Sequence, residues 1–281
     1  MASNPTTAPL LFDRALLGAR LQRARREGAA TFLLERAAED MTDRLLAVAR
    51  TFSAAADIWT PGGRLADALR DRVGSIDAIE CSAPEALGLP PESLDLAVSA
   101  LAFQFVNDLP GVLAQIRRAL RPDGLLLAAM LGGDTLTELR QSFAAAEAEC
   151  EGGASPRVAP FADLRDVGAL LQRAGFALPV TDVDRVVVRY DSAFALMQDL
   201  RRMGATNILR ERRHTPTRRA TMLRMAQIYG ERFADPDGRI RATFDIVWLS
   251  GWAPHESQQK PLRPGSAKAS LEAAIKRQPN T

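Results

Sequence analysis

The chain has 281 residues, 47% of them hydrophobic and 25% charged, with a formal net charge of only +2. That balance belongs to a folded globular protein, and near-neutrality removes the bulk electrostatic case for a nucleic acid or an anionic membrane surface. Lysine occurs only at Lys260, Lys268 and Lys276, so the rest of the chain has arginine as its cation and no lysine Schiff-base chemistry.

Residues 1–11 read as a loose leader. Across residues 31–50, Leu34, Ala38, Met41, Leu45 and Val48 fall on one helical face. An apolar strand over residues 54–58 runs into Trp59, Thr60, Pro61, Gly62 and Gly63, and a helix over 64–72 follows. Residues 76–81 form a second strand, and 94–101 a third, apolar enough to be buried in a parallel sheet. Asn107 and Asp108 are capping types ahead of a helix with Leu109, Val112, Leu113, Ile116 and Leu120 on one face. A turn at 122–124 leads into a buried strand over 125–131, and Thr135 with Glu138 has capping-box spacing for the next helix. Leu164, Val167, Leu171 and Ala174 mark a further helix that Gly175 is placed to stop. A strand over 183–190, two helices within 192–233 broken between 204 and 216, and a strand over 243–249 complete the pattern. Strands alternating with helices predict an α/β fold, a parallel sheet covered on both faces, with a dinucleotide-binding domain as the competing architecture.

Cys81 and Cys150 lack the spacing of a metal or disulfide framework. The longest apolar run, residues 125–131, is too short to cross a bilayer, and the N-terminus lacks the apolar core of a signal peptide. The expectation is a cytoplasmic protein able to lie beside a membrane complex, with no metal site.

Residues 93–101 leading into 106–111, then 116–125, 132–140 and Gly251-Trp252-Ala253-Pro254, give the chain its family character. Together they resemble the bacterial relatives of a mitochondrial respiratory complex I assembly factor, and more distantly the biotin-pathway malonyl-carrier methyltransferase. The resemblance implies a class I methyltransferase fold, Rossmann-like, with an antiparallel last strand. It divides the chain into an N-terminal helical segment (1–50), a methyltransferase-like domain (51–253) with a helical lid insert (192–238), and a polar, mobile tail (254–281). It implies S-adenosylmethionine (SAM) as cofactor and a protein substrate or respiratory complex assembly intermediate as partner. The mitochondrial member is credited with hydroxylating an arginine of a complex I subunit.

Mapped onto this sequence, the implied cofactor residues are Asp57, Gly62 and Gly63 around the first turn, Glu80 after the second strand for the ribose, and Glu85. Trp59 stands where the first glycine of that turn is expected, so either the loop rearranges or the pocket closes. Only twelve residues separate Glu80 from Ser93, which leaves no room for the helix and strand that class I enzymes usually carry there. Asn107 and Asp108 are the candidate catalytic residues, with helix capping as the alternative; Gln104-Phe105 replaces the His-Trp pair often found in the family. The arginines of 201–224, opposed locally by Glu211, are either a solvated face or a docking surface for an acidic partner. Met197, Met203, Met222 and Met225 read as core packing. Three functions stand open: a SAM-dependent enzyme acting on a protein side chain, a catalytically inactive assembly factor, and a small-molecule methyltransferase.

Overall fold

Period-two alternation in the longest apolar run decides the layering of the molecule. Leu125, Leu127, Ala129 and Leu131 face one side of the sheet, and Leu126, Ala128 and Met130 face the other. A computed structural model describes residues 10–80 and 85–259. Its strands are β1 (Phe52–Ile58), β2 (Val73–Ile79), β3 (Leu94–Ala100), β4 (Leu120–Gly132), β5 (Ala177–Tyr190) and β6 (Ile240–Trp252). They form one 6-stranded sheet in the order β2-β1-β3-β4-β6-β5. The first four pair in parallel, and β6 enters antiparallel between β4 and β5. This is the class I methyltransferase arrangement with one strand fewer. Among the described residues no strand or helix intervenes between β2 and β3.

The first face is covered by α2 (Phe32–Leu46), α3 (Arg64–Leu69), α5 (Thr137–Glu151), α7 (Ala193–Arg202) and α8 (Arg219–Phe233). The second is covered by α4 (Leu109–Ala119) and α6 (Leu164–Arg173). Each fully buried Leu or Ile contributes roughly 1.5–3 kcal/mol through removal from water, and Leu96, Leu113, Ile116, Leu126 and Ile246 are all in that class. Met225 is buried, and Met197, Met203 and Met222 pack against the core. Gly175, at φ 83°, stops α6, with its amide donating to the Gln172 carbonyl at 3.0 Å.

Three expectations are corrected. The capping box at Thr135 and Glu138 does not form. The Thr135 hydroxyl donates to the Gly132 carbonyl (2.7 Å) and accepts from the Asp245 amide (3.0 Å). The Glu138 carboxylate instead accepts from the amide and hydroxyl of Thr243. Buried donors and acceptors on β6 outcompete the local cap, because leaving them unmet costs more than fraying one helix end. The leader's described end, residues 10–11, is not loose: the Arg210 amide donates to the Leu11 carbonyl (2.9 Å), and just beyond it the Asp13 amide donates to the Ile208 carbonyl (2.9 Å). The arginines of the insert are opposed by remote acids rather than by Glu211. Arg213 pairs with Glu151, Arg224 with Glu149, Arg201 with Glu27 and Arg212 with Asp13. Residues 1–9 of the leader and 260–281 of the tail lie outside the described residues.

A helix that the sequence pattern passed over, α1 (Arg14–Glu27), lies against α7. Its close approach is made at Gly204, where φ is 72° and an added Cβ would stand 2.9 Å from Leu21 Cδ2 and 3.2 Å from Leu21 Cα. Gly204→Ala therefore combines backbone strain with a clash, and urea unfolding should report a loss of about 1–3 kcal/mol. An unchanged unfolding midpoint would show that α1 does not press on this glycine in solution.

Candidate active site

β1, β3 and β4 end at the same edge of the sheet, and a cavity of about 430 Å³ opens there. Its size falls within the ~300–1,000 Å³ typical of small-molecule sites. Trp59 and Gly62 line it from the turn after β1, Leu101 and Gln104 from the turn after β3, and Leu131 from the end of β4. The inner face of α1 and the chain from Arg202 to Ala205 close it from above.

Trp59 holds a left-handed backbone, with φ 63°. A left-handed backbone is uncommon for a bulky residue and costs about 1–3 kcal/mol. Its amide donates to the Ile79 carbonyl at 3.0 Å, and its side chain, 5% exposed, joins the apolar cluster on the α4 and α6 face. The Arg14 guanidinium stands 4.9 Å from the ring centre. The indole packs against the core and also lines the cavity.

Asp57 is 1% exposed at the penultimate position of β1, and its Oδ2 accepts from the Ala66 amide at 3.2 Å in the first turn of α3. An amide of the first turn of α3 is thus engaged by the protein's own acid. Burial pushes this carboxyl up to about 6, against the hydrogen bonds from Thr60 and Ala66. Gly62 and Gly63, at φ 83° and 70°, have nothing within 4 Å of an added Cβ, so their backbone is open to close approach. Glu80 is exposed beyond β2 and makes no hydrogen bond or ion pair among the described residues.

Glu85 belongs to a different cluster. Its carboxylate accepts from the amides of Asn107 and Asp108, both at 2.9 Å, and lies 3.4 Å from the Arg14 guanidinium. Asn107 clamps the main chain of Phe12, accepting from its amide at 2.8 Å and donating to its carbonyl at 3.2 Å. Asp108 caps α4, accepting from the Gly111 amide at 2.9 Å. The structure thus brings Asn107, Asp108 and Glu85 together, and holds Asp57, Gly62 and Gly63 around the β1 turn. Of the residues expected to hold SAM, Gly62 alone lines the cavity, and its open backbone suits close approach of a ligand; Trp59 lines the same turn, and the oxygens of Glu85 are engaged. Sequence reasoning missed Gln104, which donates to the Leu101 carbonyl at 2.7 Å and bridges β3 to β4, and the whole α1 wall. The signals were present: Asp13 as an N-cap, then Leu17, Leu21 and Ala24 at helical spacing.

A family described as a methyltransferase domain matches residues 40–128. The chain is similar, at 37% identity over 284 residues, to the Homo sapiens protein named arginine-hydroxylase NDUFAF5, mitochondrial, with 93% of this chain and 82% of that one covered. It is similar, at 40% identity over 212 residues, to the malonyl-(acyl-carrier protein) O-methyltransferase of Laribacter hongkongensis, with 75% and 67% covered. A solved structure from Bacillus halodurans, named as a candidate methyltransferase, superimposes with a TM-score of 0.51 at 14% identity, covering 75% of this chain and 97% of that one, and so shares the fold.

The raised carboxyl of Asp57 makes a pH prediction. A buried acid whose folded value is above its unfolded value lowers stability as pH climbs from about 4 to about 6, and the penalty then levels off. Asp57→Asn removes that penalty, so the variant should gain on the parent by on the order of 3 kcal/mol at pH 7 and by little at pH 4. Urea unfolding of both proteins at the two pH values measures the difference. A gain that does not grow with pH would show that Asp57 titrates normally.

Proposed function

The chain belongs to the family of the mitochondrial arginine-hydroxylase NDUFAF5, and on that footing we propose that it binds SAM across the β1 turn and modifies a side chain of a protein partner during assembly of respiratory complex I. The observation that carries this reading is the cavity at the joint ends of β1, β3 and β4, with Gly62 in its wall. Ligands of open α/β sheets bind beyond the carboxyl ends of the strands.

Glu80 is free to accept from ribose hydroxyls, and Gly62 and Gly63 let the methionine end approach the backbone. Bound SAM supplies an activated methyl group. The chain's own part is to shape the chamber beside it. Leu101, Phe105 and Leu131 make an apolar wall that sheds water, and Gln104 ties the ends of β3 and β4 together across it. Asn107 holds α1 down through Phe12, and so acts as a positioning residue rather than as a base.

A second reading, a catalytically silent assembly factor, is favoured by Trp59 in the glycine position and by the engaged oxygens of Glu85. Among the described residues no acid or imidazole lines the chamber to act as a general base.

Calorimetric titration with SAM separates the two readings. Trp59→Gly should bind SAM at least tenfold more tightly than the parent, about 1.4 kcal/mol, provided that a thermal melt shows the variant folded. Equal affinity would remove the indole as the limiting contact. Absence of binding in both proteins would leave the silent assembly factor.

A further inference from the structure

One face of α1 supplies much of the cavity's lining. Arg14, Leu17, Leu21, Ala24 and Arg25 line it from α1, and their spacing puts them on a single helical face. From Arg14 to Arg25 that face runs roughly 16 Å at 1.5 Å per residue. Much of the remaining lining is apolar, with Leu33, Leu34, Leu101, Leu131 and Met203. The polar character is one-sided: Arg14, Arg25, Arg64 and Arg202 all line the cavity, and among the described residues no Asp or Glu does.

Three of these arginines are held by acids that stand outside the lining. Arg14 lies 3.4 Å from Glu85, Arg64 2.9 Å from Glu35, and Arg202 3.4 Å from Asp199. Arg25, exposed near the C-terminal end of α1, makes no ion pair among the described residues. An occupant entering this trough meets leucine side chains along its length and cationic groups at both ends. A basic segment would bring like charge against arginine, and a wholly polar one would leave the leucines without a partner.

We propose that the trough beneath α1 docks a short extended segment of the protein partner, apolar and carrying acidic side chains. An extended strand rises about 3.3 Å per residue, so the length of α1's inner face accommodates roughly five residues. The proposal rests on the reading of this chain as acting on a protein, and adds to it the chemistry by which the partner is recognised. The segment concerned flanks the reacting side chain and need not contain it. Of the insert's arginines only Arg202 lines the trough; Arg212, Arg213 and Arg224, engaged by Asp13, Glu151 and Glu149, do not.

The test is a selection of random nonapeptides displayed against the full chain. It is run in parallel with Arg25→Glu at the exposed rim and Leu21→Glu inside the trough, each checked by thermal melt. The expected result is enrichment of peptides combining leucine, isoleucine or valine with Asp or Glu. A synthetic copy should lose about fivefold in affinity or more with either variant, and again when its acids are replaced by lysine. If Leu21→Glu does not fold, Arg25→Glu alone decides.

Enrichment of basic or uncharged peptides, no enrichment, or a bound peptide indifferent to the variants would overturn the proposal. So would displacement of the peptide by decanoate at lower concentration than the peptide itself requires, which would make the occupant a lipid anion. SAM titration on the same preparation keeps the two claims apart. Peptide binding without SAM binding removes the enzyme reading alone, and SAM binding without peptide binding removes only this one.

Discussion

The carboxylate of Glu85 joins three segments that are remote in sequence. It takes the amides of Asn107 and Asp108 at the corner between β3 and α4, and stands against Arg14 at the first turn of α1. Its own carbonyl accepts from Gln115 of α4 at 3.0 Å, and Gln115 in turn accepts from the Leu87 amide at 2.9 Å. Hydrogen bonds to a charged acceptor contribute about 1.5–3 kcal/mol each, so this single group outweighs any surface ion pair in the molecule. Through Asn107 and Phe12 the same corner fixes the start of α1, and α1 is the roof of the cavity. The shape of the site therefore depends on an acid that never faces it.

Trp59 holds a left-handed backbone, a conformation that favours glycine. The amide of this residue is committed to Ile79, so the chain cannot swing away from its left-handed conformation. The indole lies instead in the cluster with Leu87 and Phe103, with the Arg14 guanidinium over its face. The strain is local, and burial of the ring in that cluster offsets it.

Much of this fold was legible in the chain. The runs that became β1, β3 and β4 are apolar because both of their faces are covered, and that requirement is visible without coordinates. Gly175 stopping α6 and the break between α7 and α8 were visible for the same local reason. What stayed hidden was decided at long range. Thr135 and Glu138 have the spacing of a cap, yet β6, more than a hundred residues later, claims both side chains. The arginines of the insert look unopposed when counted along the chain, because their acids come from α1 and α5. At the site, the turn with Gly62 and Gly63 could be read from sequence, whereas the engagement of Glu85 could not. The signals for α1 were present but faint, because its narrow apolar face is interleaved with arginines.

The missing unit between β2 and β3 also changes what the sheet offers to other chains. Among the described residues no strand pairs beyond β2, so β2 is a margin, and such a margin carries a row of unpaired amides and carbonyls that another strand can copy. Its sequence blunts that hazard. Gly74, Ser75, Asp77 and Ala78 are exposed, so the strand offers little apolar surface and one carboxylate near its middle. Gly74 also lets β2 ride close to β1, where an added Cβ would stand 2.7 Å from the Ser53 carbonyl oxygen. A strand that in a larger sheet would be interior has become a poor template for aggregation, and the shortened sheet can end there without becoming adhesive.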